Sequence, residues 1–223
     1  MNGHDATLKG IAPMNDKIKT AQDDLAFLRT IAEGGTGGGM GVPGSALYGS
    51  AGVLYGIQCL SYYVQEKGLS LLSPTANIVM AWAPTLIFLV LMTIVIVLDR
   101  KKPAVGVTSR AVNSAFAGVG LANLALVIVF ASAAARNHDF RYWLFHPAVV
   151  FVLQGSVWYV AFTLRKRLWM ALVAAGWLVS GVALGMLIDR ADLYLLIATL
   201  SLFLLMAVPG FGMMRQALRT AAA

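Results

Sequence analysis

The stretch Ala76–Leu98, ANIVMAWAPTLIFLVLMTIVIVL, decides the fold class, and it contains no charged residue. A helix of about 20 apolar residues crosses a hydrocarbon layer of about 30 Å. The apolar residues fall on every side of a helical wheel, as a helix in lipid requires. Outward from this stretch, similar segments occupy 45–64, 111–134, 145–164, 168–188 and 191–211. The first is the weakest, diluted by Tyr48, Gln58, Ser61, Tyr62 and Tyr63. The last two are separated only by the short turn Asp189-Arg190, which predicts a tight hairpin. The expected fold is all-α: an integral membrane six-helix bundle over 45–211, arranged as three consecutive helical hairpins.

Composition agrees with that reading. The chain has 223 residues, 59% hydrophobic and only 12% charged. Soluble domains average about 25% charged residues, and a chain this short cannot bury so large an apolar excess. A typical soluble enzyme and a disordered chain are both excluded. The net charge of +7 would suggest nucleic acid in a soluble protein. Here it reads as topology, and no nucleic-acid partner is expected. Lys9, Lys17, Lys19, Arg29, Arg100, Lys101, Lys102, Arg110, Arg165, Lys166, Arg167, Arg215 and Arg219 share one side of the predicted spans. Only Lys67, Arg136, Arg141 and Arg190 lie on the other. The positive-inside rule then places both termini in the cytoplasm, which an even number of spans permits. Tyr62, Tyr63, Tyr142, Trp143 and Trp169 sit near span ends, where amphipathic rings favour the membrane–water interface. The lone Cys59 forms no intramolecular disulfide and reads as a small apolar packing residue. No cleavable signal peptide is visible, so the first span would be an uncleaved anchor.

Residues 1–44 are expected to be cytosolic. Residues 16–33 read as an amphipathic helix with an apolar stripe of Ile18, Ala21, Leu25, Leu28 and Ala32, spaced alternately by three and four. Asn15 is a candidate N-cap, and Gly34-Gly35 a stop. The segment 34–44, GGTGGGMGVPG, lacks the GK[ST] ending of a phosphate loop and reads as a flexible linker. Two uses of the helix stand open: resting on the rest of the protein, or docking a partner or a second copy. Residues 212–223 are expected to be a cytosolic tail.

The odd spans carry small residues at helix-packing spacing: Gly52 and Gly56; Ser114, Gly118 and Ala122; Gly181 and Gly185. Small residues four apart let helix backbones approach closely in lipid, within one chain or between two copies. The even spans are bulkier. Pro84 is expected to kink span two.

Candidate chemistry is sparse. His4, His138 and His146 do not form a ligand cluster, and no catalytic, metal or cofactor residues are predicted. No Asp, Glu, Lys or Arg falls centrally in any span, which argues against a carboxylate-based proton pump. The polar residues at membrane depth are the candidates: Gln58, Asn123, Gln154 and Ser156, with Trp158 and Tyr159 beyond Gln154. An amide in lipid must find a partner, so these residues are expected to turn inward, as interhelix bonds or as a ligand-cavity lining.

Two stretches, Asp23–Gly35 (DDLAFLRTIAEGG) and the last three spans, resemble a group of small proteobacterial polytopic inner-membrane proteins of uncharacterised function. The second is carried by PAVVFVLQGSVWYV at 147–160, RKR at 165–167 and PGFGMMR at 209–215. The resemblance implies a bacterial inner-membrane protein with a cytoplasmic N-terminal helix, and it assigns no catalytic residue. The leading expectation is a non-catalytic regulatory or accessory subunit. A small transporter or channel for a neutral solute is the second, and an intramembrane enzyme the third.

Overall fold

The computed structural model describes residues 22–26, 41–69, 72–99 and 107–222. Every element among the described residues is helical. Beyond a helical turn at 22–26, the helices are α1 (Val42–Glu66), α2 (Pro74–Asp99), α3 (Val107–Asn137), α4 (Arg141–Arg165) and α5 (Leu168–Met186). A last continuous run follows: α6 (Ala191–Ser201), a π-helical segment (Leu202–Ala207) and α7 (Val208–Ala222). Five of these are long and apolar enough to cross a membrane: α2, α3, α4, α5 and the last run over Ala191–Arg219. The first helix, the one diluted by tyrosines and Gln58, is not among them.

Local signals set the boundaries. Pro43 opens α1, where its missing N–H costs no bond. Gly68, with φ of 70°, closes α1, and Leu69 N–H reaches back to Val64 O at 3.1 Å. That left-handed residue lets the chain reverse while the last carbonyls stay bonded. Ser73 Oγ accepts the Ala76 N–H at 3.2 Å and caps α2. His138 takes the left-handed position after α3, with φ of 51°, and Asp139 caps α4 by accepting the Arg141 N–H at 2.9 Å.

Neighbours in sequence pack together, and the last run returns to α1. The cycle is open at one seam: α2 and α3 make no backbone approach among the described residues. Helix α2 packs only on α1, and backbone contacts of α3 are only with α4. The three predicted hairpin pairs are each in contact, but larger interfaces lie outside them. The most extensive joins α1 to the last run, and the next joins α4 to α5 across the predicted hairpin boundary. The fifth-to-sixth hairpin, predicted to be tight, is a smaller contact.

The positions of glycine explain this. A Cβ on Gly52 would stand 2.5 Å from Ala207 N and 2.8 Å from Leu202 O. One on Gly210 would stand 2.4 Å from Gly49 N. Only glycine allows two helix backbones to lie that close. A Cβ on Gly56 would stand 3.0 Å from the Phe203 ring, so the predicted Gly52 and Gly56 pair packs within the chain. A Cβ on Gly181 would stand 3.0 Å from Ala148 O of α4, and one on Gly155 would meet Leu178 and Ala174 O. Small residues thus serve even helices as well as odd ones.

The other predicted packing residues differ. Ser114 and Gly118 are exposed, and a Cβ on Gly118 or Gly185 would meet nothing within 4 Å. Ala122 is half-buried. Helix α3 turns its Val112, Phe116 and Asn123 face inward, which sends the 114–118 stripe outward.

Between the two glycine seams lies an aromatic core. Trp158 and Trp177 are each 1% exposed. Trp158 meets Tyr48, Phe116 and Trp169 edge-on at 5.5–5.8 Å, and Phe151 meets Trp177 at 4.6 Å. These edge-to-face pairs add to area burial. Gly210→Ala is expected to destabilise the detergent-solubilised protein by about 1–3 kcal/mol through overpacking. Gly118→Ala, with open space around it, should leave the denaturant midpoint nearly unchanged.

Candidate functional site

Three prolines lie inside long helices: Pro84 in α2, Pro147 in α4 and Pro209 in the last run. Each removes an N–H donor, and its ring crowds the carbonyl four residues back. In lipid no water replaces the lost partner, so a neighbouring helix has to supply it.

A side chain from another helix does so at Pro84 and at Pro209, and a third interhelix bond lies beside Pro147. Gln58 of α1 donates its Nε2 to Met80 O at 3.2 Å and Ala81 O at 3.0 Å, the carbonyls four and three residues before Pro84. Trp177 of α5 donates to Leu205 O at 3.2 Å, four residues before Pro209. The Tyr194 hydroxyl of α6 donates to Leu144 O at 2.8 Å, three residues before Pro147. Gln58 and Pro84, separate features in the sequence, are thus two halves of one contact. Pro84 is buried against α1, as that contact requires.

Pro209 has a second effect. The run before it widens into π-helix, and the Val208 N–H bonds Phe203 O, five residues back. A widened turn relieves the ring clash. This segment is the surface that presses on Gly52 and Gly56.

The remaining candidates separate by helix face. Residues on a helix advance about 100° each, so positions four apart share a face and positions two apart oppose each other. Gln154 and Trp158 therefore face one way, and Ser156 and Tyr159 the other. Ser156 is exposed and bonds Val152 O of its own helix at 3.0 Å, and Tyr159 is 57% exposed. Neither turns inward as expected. Trp158 donates to the Tyr48 hydroxyl at 2.7 Å and is core. Asn123 Oδ1 lies 2.9 Å from His146 Nε2, which joins α3 to α4 beside a stacked Trp143. Gln154 Oε1 is buried without a hydrogen-bond partner. The six residues do not form one cluster.

Sequence reading missed Trp177 and Tyr194 as interhelix donors and Tyr48 as an interhelix acceptor. Pro209 was the available signal for Trp177, since it announces a carbonyl that needs a donor. Ser201 Oγ also donates to Ser180 Oγ at 2.8 Å, tying the last run to α5.

The two ends of the bundle differ in charge. At the end holding Lys67, Asp139 and Asp189, Lys67 pairs with Asp192 at 2.9 Å and Arg141 with Asp189 at 3.2 Å. The Asp192 carboxylate raises the Lys67 pKa above its ordinary value. A cleft of about 340 Å³ opens here between Asp139, Arg141, Tyr142, Phe145, Gly185 and Asp189. Among the described residues no three His, Cys, Asp or Glu side chains gather as a metal site.

In the predicted N-terminal helix, residues 22–26 are helical and exposed, with Leu25 66% exposed. Ile18, Ala21, Leu28 and Ala32 lie outside the described residues. Comparison with family models, curated proteins and solved structures finds no match.

Gln58→Leu strands two carbonyls in the α1–α2 seam and is expected to destabilise the protein by about 1–2 kcal/mol. Ser156→Ala, which removes only a bond within its own helix, should change stability by less than about 0.5 kcal/mol. Chemical unfolding in detergent reads both.

Proposed function

We propose that the chain is a six-span inner-membrane protein with both termini cytoplasmic, acting as a non-catalytic regulatory or accessory subunit. One observation carries this reading. The helical stretch at 22–26 presents Leu25 to solvent instead of packing it on the bundle. An exposed apolar position on a helical stripe is a docking feature. The interior agrees, because Gln58, Trp177 and Tyr194 are each engaged in holding helices together. Helix α1 is the sixth span: its polar residues are matched within the bundle, which offsets its lower hydropathy. The partner is a protein, or a second copy of this chain, reached through the N-terminal stripe.

Leu25→Asp in the full chain is expected to abolish co-purification of a stoichiometric partner from native membranes, leaving bundle stability unchanged. Undiminished partner recovery, or an unchanged phenotype on deleting residues 1–35, would sink the reading.

A second reading, transport of a neutral solute, is favoured by the buried and unbonded Gln154 Oε1. Its test is uptake into liposomes. Flux above empty vesicles that disappears in Gln154→Leu would favour the transporter over the accessory subunit.

A further inference from the structure

At the basic end of the bundle, the α4–α5 turn holds an unusual cation. Arg165 is half-buried, and its Nη2 is buried with no hydrogen-bond partner. A desolvated guanidinium normally has a carboxylate or a set of carbonyls as its partner. The ion pairs found among the described residues lie at the opposite end.

The surroundings of Arg165 are cationic. Lys166 closes α4 in the left-handed conformation, φ 55°, its N–H bonded to Phe162 O at 2.7 Å. This non-glycine residue in a disfavoured region reverses the chain within two residues. Arg167 follows as N-cap of α5 and makes no side-chain cap. The Met170 N–H is taken by Arg167 O at 2.9 Å, and the positive dipole end of α5 opens onto the same turn. The guanidinium of Arg167 reaches Gln216 Oε1 at 3.4 Å, which brings α7 alongside. Arg215 adjoins Gln216, and Arg219 lies about one turn further on. Arg165 with its unsatisfied buried donor, Lys166, Arg167 and a helix N-terminus meet at this one turn.

We propose that this turn is a phosphate-binding site, with Arg165 as its buried donor. The ligand is the phosphate group of an anionic phospholipid. The turn ends one membrane-crossing helix and begins the next, which sets it at headgroup depth. A guanidinium matches two phosphate oxygens in a planar fork, which explains arginine at this position rather than lysine. The site is independent of the accessory-subunit reading, since it uses neither the N-terminal helix nor a partner.

The test reconstitutes full-length protein with equal amounts of phosphatidylcholine and phosphatidylglycerol and counts retained lipids by native mass spectrometry. Wild type is expected to prefer phosphatidylglycerol by about fivefold, the scale of one basic residue at an anionic surface. Arg165→Gln should lose that preference, Arg165→Lys should retain part of it, and Arg219→Gln should retain most. In a parallel arm, delipidated protein is heated with and without millimolar inorganic phosphate. Stabilisation of wild type but not of Arg165→Gln, without lipid preference, supports the site with free phosphate as its ligand. Equal retention of both lipids without phosphate stabilisation, or an Arg165→Gln profile matching wild type in both arms, would overturn the proposal.

Discussion

A proline in a lipid-embedded helix leaves a carbonyl that only another helix can satisfy, and this fold is arranged around two such carbonyls, Met80 O and Leu205 O. Water is absent at that depth, so an unmatched group costs several kcal/mol. An interhelix hydrogen bond in a membrane contributes only about 0.6–2 kcal/mol. The penalty for a missing donor thus exceeds the gain from an ordinary bond. That asymmetry fixes neighbours: Gln58 couples α1 to α2, Tyr194 couples α6 to α4, and Trp177 couples α5 to the last run.

The close seam between α1 and the last run follows from the same constraint. Pro209 accompanies the π segment, and that segment carries the Leu202 O and Ala207 N that lie against α1. Only glycine at 52 leaves room for it, and Gly210 repeats the fit against Gly49. The proline and the glycines are one feature, distributed over two helices far apart in sequence. The seam left open between α2 and α3 has no such device, and both helices keep apolar faces outward.

The helices themselves were legible in the sequence because uncharged length is a one-dimensional signal. Their ends fall within a few residues of the predicted spans for Ala76–Leu98 and its neighbours. Pairing was less legible. Gly52, Gly118 and Gly185 look alike in sequence, yet only Gly52 meets another backbone. Which face turns inward depends on the partner helix, and small-residue spacing does not encode that. The polar residues were found by type, and Gln58 and Asn123 form the interhelix bonds expected of them, but their partners were not named. Gln58 bonds carbonyls, which no residue letter displays. A proline three or four residues beyond them was the missing clue. Leu25 is exposed, and the rest of the predicted stripe lies outside the described residues.

Polar groups within the bundle are mostly engaged in holding it together, so its distinguishing surfaces lie at its ends and along the outward faces of α2 and α3. The direct test of the central claim is a double-mutant cycle on Gln58 and Pro84, read by unfolding free energy in detergent. With alanine at 84 the helix regains its own N–H for Met80 O. Gln58→Leu should then cost about 1 kcal/mol less than in the Pro84 background. Equal costs in both backgrounds would contradict the account, because Gln58 would not be serving the carbonyls that the proline sets free.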